Sequence, residues 1–201
     1  MQKIMFNDRY VLTDAVIEGR KTVTRRIIYG IDFPVNMVMG RVLPDKEGKI
    51  YAVANGENII VKLRYKVGEV VAVAQSYNEA TREFPHLATT LVGHDILGSE
   101  LGCTNKMFVR ADLMPHQIRI TRIRCERLQD ISDAECMKEG VRVEFAKNGR
   151  PMYYYFDIKR WRQVWFDTPR EAFASLIDKV SGRGTWDRNP WVVVYEFELV
   201  K

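Results

Sequence analysis

Eight consecutive residues, Gly19-Arg20-Lys21-Thr22-Val23-Thr24-Arg25-Arg26, concentrate four cations and two hydroxyls. Arg offers a planar fork of donors for phosphate or carboxylate, Lys a compact point charge and Thr a short hydroxyl, so the set suits an anionic or polar ligand. A Thr hydroxyl becomes a nucleophile when a neighbouring base takes its proton, and a desolvated Lys or a carboxylate can be that base. The same residues also fit a solvated basic face with ordinary strand threonines. A second set, Arg119, Arg122, Arg124 and Arg127 with Lys106 and Arg110, could line a groove that tracks a nucleic-acid backbone, or form a solvated strand face. Tyr153 to Phe156, Trp161 and Trp165 are either stacking surfaces for bases or cement between a peripheral segment and the core.

The elements around these residues follow from periodicity. Lys3 to Phe6 reads as a short strand, and Asn7 or Asp8 caps a helix whose apolar positions Val11, Leu12, Ala15 and Val16 recur at helical spacing until Gly19. From Thr22 the chain turns extended. Residues 37–65 read as hairpins: Val38 to Leu43, a turn at 44–48, Ile50 to Ala54, a turn at Asn55-Gly56, then Ile59 to Leu63. Val70 to Gln75 is a near-continuous apolar run, the mark of a strand covered on both faces. Residues 78–105 lack a sustained period and carry Pro85, Gly93, Gly98 and Gly102, which predicts an insertion or long loop. Met107 to Ala111 and Ile118 to Leu128 return to strand character, the second with a slip near Thr121. Ser132-Asp133-Ala134-Glu135 has capping-box form and opens a short helix that stops at Gly140. A further helix runs from Thr168 or Pro169 to Val180, and Trp191 to Leu199 closes the chain as a strand. Strands this closely spaced predict an α+β, mainly β architecture, a small antiparallel barrel with peripheral helices in one domain spanning 1–201.

The chain has 31 Lys and Arg against 26 Asp and Glu, a net charge of +5 that permits an anionic partner without demanding one. Residues 20–26 hold four cations and no acid, and residues 106–127 six cations and two acids, so the excess is concentrated in two places. No apolar run approaches the roughly 20 residues of a membrane span, and the N-terminus lacks signal-peptide character, so a cytoplasmic protein without a membrane partner is expected. Cys103, Cys125 and Cys136 show no CxxC spacing and His86, His94 and His116 no close pairing, which predicts neither a metal nor a cofactor. A Cys–His nucleophilic pair and three plain core thiols both fit these cysteines.

Gly19-x-Lys21-x-x-x-x-Arg26, placed after an N-terminal strand and helix, resembles the GxKxxxxR signature of ASCH domains, relatives of the PUA RNA-binding modules. Ile4-Met5-Phe6-Asn7, Gly68-Glu69-Val70-Val71, Arg124 to Ile131 and Trp186-Asp187-Arg188-Asn189-Pro190-Trp191 are similar to blocks in ASCH proteins of phages and prophages. The resemblance implies a PUA-like β-barrel, with 30–65, 78–105 and 142–166 as insertions. It also implies a basic cleft for single-stranded RNA or a modified nucleoside, bound by Gly19, Arg20, Lys21, Thr22, Arg25 and Arg26; on the charge pattern read above, Arg119, Arg122 and Arg124 would be further RNA contacts. Some small members with a similar GRKTxT segment are amidohydrolases of N4-acetylcytidine that use a Lys, a Thr and a Glu. By motif these fall on Lys21, Thr24 and Glu139, with Glu135 as the alternative register. Binding is the leading expectation, amidohydrolysis the alternative and ribonuclease activity a third; in the structural alternative, Lys21 and Arg26 hold a phosphate and Glu139 pairs with one of them. Asp187 is a further candidate to reach the cleft.

Overall fold

The computed structural model describes residues 1–30, 43–44, 49–54, 57–87 and 100–200. Along the chain run β1 (Lys3–Ile4), a 3₁₀ turn (Asp8–Tyr10), α1 (Leu12–Ile17), β2 (Val23–Ile27), β3 (Leu43–Pro44), β4 (Lys49–Ala54), β5 (Glu57–Lys62), β6 (Val70–Val73), α2 (Tyr77–Glu83) and α3 (Glu100–Thr104). There follow β7 (Gln117–Arg127), α4 (Asp133–Lys138), β8 (Arg142–Phe145), β9 (Pro151–Asp157), β10 (Arg162–Phe166), α5 (Pro169–Ser181), α6 (Thr185–Arg188) and β11 (Trp191–Leu199). The fold is α+β with strands in the majority.

Five strands form the central sheet in the order β1-β6-β7-β11-β2, parallel between β1 and β6 and antiparallel elsewhere. Val71, Ala72, Val73 and Ala74 are each 0% exposed, as an uninterrupted apolar run requires. β11 shows why the sheet is buried on both faces. Its Val193, Tyr195 and Phe197 pack with Phe6 and Tyr155, while Val192 and Val194 point the other way, toward Leu128, Phe173 and Ile177. The β7–β11 register shifts between Glu196 and Phe197, so Thr121 is the extra residue of a bulge where the alternation slips. Among the described residues the ladder is open, with β1 and β2 at its edges.

α4 and α5 lie where capping chemistry puts them, whereas α1 starts at Leu12 after a left-handed Val11 (φ 57°) and not at a cap on Asn7 or Asp8. Ser132 and Glu135 exchange backbone contacts in a capping box that starts α4, and Thr168 with Glu171 does the same for α5, where Pro169 takes the first turn. α5 sends Leu176 into one core and Phe173 and Ile177 into the other, bridging the two. Trp186 packs edge-on against Phe173, and Arg170 lies 5.0 Å from its ring centre.

Two smaller sheets flank this body, β3-β4-β5 and β8-β9-β10. β4 and β5 pair antiparallel with Ala54 opposite Glu57, and the expected turn at Asn55-Gly56 lies outside the described residues. The expected strand Val38 to Leu43 and turn 44–48 lie outside the described residues except for Leu43–Pro44. In β9, Tyr153 and Tyr155 face the cores, and the Arg9 fork holds Asp157 at 2.9 Å, so this segment is cemented onto the body.

Two sequence expectations are corrected. The segment 78–105 is not loop throughout: α2 and α3 occupy its ends, with residues 88–99 outside the described part. The missed signal was Ser76, whose hydroxyl caps Glu79 N–H in a full capping box. Met107 to Ala111 is not a strand. Only Val109 is buried there, and the carbonyls of Met107 and Val109 accept from Lys3 Nζ at 2.6 and 2.7 Å. The Arg110 N–H donates to the Tyr77 hydroxyl at 2.9 Å, so these polar groups are satisfied by side chains instead of a ladder.

Candidate active site

Local backbone chemistry brings the GxKxxxxR segment to the end of α4. Gly19 takes φ +72°, the left-handed conformation that ends a helix, and the Lys21 N–H turns back to the Ala15 carbonyl at 2.8 Å. The next amide, Thr22, donates to the Lys138 carbonyl at 3.0 Å. Lys138 closes α4, so this bond sets Lys21 beside Glu139. Gly140 makes the approach tolerable: its φ is +108°, and a Cβ there would lie 2.9 Å from Leu12 Cδ2.

Lys21 is 2% exposed and Glu139 5%. The Lys21 ammonium donates to the Val23 carbonyl at 2.8 Å, to the Glu139 carbonyl at 2.9 Å and to Glu139 Oε2, which uses all three of its protons. Burial pushes the Lys21 ammonium below its ordinary range, and the Glu139 carboxylate opposes that shift. The other Glu139 oxygen accepts from Arg25 at 3.1 Å. Arg25 also reaches Glu126 at 2.6 Å and Glu135 at 3.1 Å, and its side chain is 0% exposed. Desolvation of Arg25 is outweighed by Glu139 and Glu126, which raise its pKa. Burying such charges does not by itself favour folding, because their desolvation offsets the Coulombic gain. A buried ion pair at a cleft therefore asks for a chemical reason.

The cleft is present. A cavity of about 360 Å³ is lined by Lys21, Thr24, Arg25, Arg26 and Glu139, with Phe6, Asn7, Leu12, Tyr29 and the inner side of α5 completing the wall. Thr24 is 5% exposed, and its hydroxyl has no protein partner among the described residues. Arg26 is exposed, donates to the Met5 carbonyl at 2.6 Å and sits 5.9 Å from the centre of the Phe6 ring. Tyr29, 76% exposed, stands at the rim. Asn7 lines the same cavity and caps nothing with its side chain.

The structure thus brings together Lys21, Thr24, Arg25, Arg26 and Glu139. Gly19 and Thr22 act through their backbone. Arg20 bonds Glu18 at 2.6 Å and lines a different hollow, with Arg142 and Tyr154. Glu135 accepts from Arg25 and Arg124 and is not in the cleft wall, so Glu139 is the register that faces it. Burial would raise the Glu135 pKa, but the Ser132 amide with Arg25 and Arg124 brings it below its ordinary value.

Arg119, Arg122 and Arg124 lie outside the cleft, and each has a carboxylate. Arg119 pairs with Glu198 at 3.1 Å, Arg122 with Glu196 at 3.8 Å and Arg124 with Glu126 at 2.8 Å, as well as with Glu135 and Glu196. The basic face of β7 is neutralised by β11 and α4. Asp187 is exposed and is not part of the cleft wall. Burial pushes Cys125 and Cys136 to about 12, leaving them protonated core thiols that are poor nucleophiles.

Sequence reasoning missed Phe6, Asn7 and Tyr29 as cleft residues and overlooked Lys62 and Arg64 beside it. For the last two a signal existed: in Lys62-Leu63-Arg64-Tyr65 cations alternate with apolar residues, which puts both charges on one face. Among the described residues no group of three or more His, Cys, Asp or Glu is placed to hold a metal ion, and no helix is long and apolar enough to cross a membrane. Comparison with protein-family models, with curated proteins and with solved structures finds no match for this chain.

Proposed function

We propose that the chain is an ASCH-type, PUA-like protein whose cleft takes an acylated nucleoside and hydrolyses its exocyclic amide, as in N4-acetylcytidine. The observation that supports the reading is the inward donation of all three Lys21 protons, which leaves none for a phosphate, in a cleft whose wall holds this desolvated ammonium–carboxylate pair together with Thr24. This reverses the order the sequence suggested, with chemistry ahead of binding alone. Thr24 Oγ attacks the acyl carbonyl carbon while its proton passes to the Glu139 carboxylate, Lys21 already holding three protons. The pair returns a proton to the exocyclic nitrogen as the C–N bond breaks, releasing cytidine and leaving an acetyl ester on Thr24. Water, deprotonated by the same pair, then releases acetate and restores the hydroxyl. In the same reading the central sheet is the PUA-like barrel, joined between β2 and β1 by the Arg26 bond to the Met5 carbonyl instead of a ladder.

The test is incubation with N4-acetylcytidine and chromatographic measurement of cytidine. Turnover by the wild type that drops at least about a hundredfold in Thr24→Val and in Lys21→Met supports the proposal. Turnover in folded Lys21→Met equal to the wild type, or none in the wild type, removes it. The exposed Arg26 at the rim favours a second reading, in which the cleft binds single-stranded RNA or a nucleoside without turnover. Saturable, salt-sensitive binding with no product is its signature.

A further inference from the structure

Arg26 borders two cavities. Besides the cleft it lines a second one of about 220 Å³, walled by Lys62, Arg64, Met5, Ile27, Val193 and two tyrosines. Arg26 and Ile27 are common to both walls, so the two hollows adjoin. The second holds three cations and no carboxylate. Among the described residues none of Arg26, Lys62 and Arg64 has an acidic partner, whereas the arginines of β7 that sequence singled out are paired.

All three residues keep exposed surface, while burial lowers the Arg26 pKa and no carboxylate among the described residues is bonded to it in return. Backbone and ring contacts hold the frame around them. The Arg64 N–H donates to the Tyr195 hydroxyl at 3.2 Å, and the Arg64 guanidinium lies 5.5 Å from the Tyr65 ring centre. Tyr65 is fixed in turn by its hydroxyl, which donates to the Lys3 carbonyl at 2.9 Å. Two guanidinium forks and one ammonium around a small hollow form a receptor for a tetrahedral dianion or a phosphodiester. Lys21, by contrast, has no proton left to give one.

We infer that Arg26, Lys62 and Arg64 form a phosphate subsite adjoining the cleft, so that the preferred ligand is a nucleotide, free or within a single strand, instead of a bare nucleoside. The inference rests on the reading that the cleft takes a nucleoside. Phosphate held by three charge-assisted contacts adds affinity that the base and sugar do not supply, and it aligns the exocyclic amide with Thr24 from outside the reacting centre.

Equilibrium titrations test this with cytidine, cytidine monophosphate, inorganic phosphate and a short single-stranded oligocytidine, on the wild type and on Lys62→Ala/Arg64→Ala. Cytidine monophosphate is expected to bind about tenfold to a hundredfold more tightly than cytidine. In the double variant that ratio falls to about one, and in the wild type it shrinks as salt rises. Tighter binding of the oligonucleotide than of the mononucleotide identifies a strand as the source of the phosphate; equal binding identifies the free nucleotide. Either outcome supports the subsite. Equal affinities for cytidine and its monophosphate in the wild type, or an advantage that survives the double variant, overturns it. Failure of the hydrolase reading looks different: absent turnover of N4-acetylcytidine together with a nucleotide advantage lost in Lys62→Ala/Arg64→Ala leaves the subsite standing on a binding protein.

Discussion

Arg25 and Arg26 are neighbours on one strand and have opposite fates. The period of two sends Arg25 inward, onto Glu126, Glu135 and Glu139, with no exposed side-chain surface. Arg26 points outward, to a rim between two cavities, held by the Met5 carbonyl and the Phe6 ring and, among the described residues, by no bonded carboxylate. The same side chain is locked into a carboxylate cluster at one position and, in the proposed subsite, faces the ligand at the next. Charge counts along the sequence cannot separate these roles, because what matters is whether a carboxylate from another element arrives. For Arg25 it comes from β7 and α4, over a hundred residues away.

The largest expected effect breaks the inner half of this comparison. Arg25→Met leaves three carboxylates facing one another and is expected to lower stability by about 3–5 kcal/mol in denaturant titration. Arg26→Ala, an exposed side chain, is expected within about 0.5 kcal/mol of the wild type in the same experiment. Equal losses in the two variants would contradict the division of roles.

A second substitution acts through backbone only. Gly140→Ala forces a left-handed φ on a residue with a Cβ and drives that Cβ toward Leu12 Cδ2, for an expected loss of about 1–3 kcal/mol together with reduced turnover. Wild-type stability there would show that α4 can shift away from Lys21 without cost.

The pH dependence sharpens the electrostatic side. Glu135 and Asp157 have pKa values below their ordinary ones, Asp157 chiefly through its bond to Arg9. Each therefore contributes stability that is present above the unfolded value of about 4 and is lost as pH falls through the folded one. Arg9→Met is expected to remove the Asp157 part of this acid limb and to leave neutral-pH folding in place. At the active pair the shift has the same direction but another cause: burial lowers the Lys21 pKa, and Glu139 is what holds it up. Glu139→Gln is expected to shift the basic limb of any residual turnover to lower pH. A shift upward would mean that Glu139 does not act on Lys21.

Arg119→Ala is the smallest effect. Its pair with Glu198 is about half exposed on both sides, and the change is expected within about 0.5 kcal/mol with no change in nucleotide affinity.

Much of this was legible in sequence where one element carries its own signal. The Ser132–Glu135 box, the Thr168-Pro169 start and the Gly19 stop are local, and so was the two-sided burial of Val70 to Ala74. The bulge at Thr121 showed as a slipped alternation. Lys21, Thr24 and Glu139 came from a motif resemblance, and their meeting depends on one amide, Thr22 to Lys138, that no pattern in the chain announces. The partners of Arg119, Arg122 and Arg124 were not legible, because Glu196 and Glu198 lie on a strand whose register is fixed only by the fold. Met107 to Ala111 was misread since its apolar residues satisfy strand propensity while its carbonyls go to Lys3, a tertiary choice.

The central claim, that Arg25 supports the cleft and Arg26 faces the ligand, is tested most directly by thermal unfolding of the wild type and Arg26→Ala with and without cytidine monophosphate. A ligand that binds only the folded state raises the midpoint by mass action. The account predicts that Arg26→Ala unfolds at the wild-type temperature without ligand and loses most of the ligand-induced rise. An undiminished rise, or a basal midpoint as low as that of Arg25→Met, would contradict it.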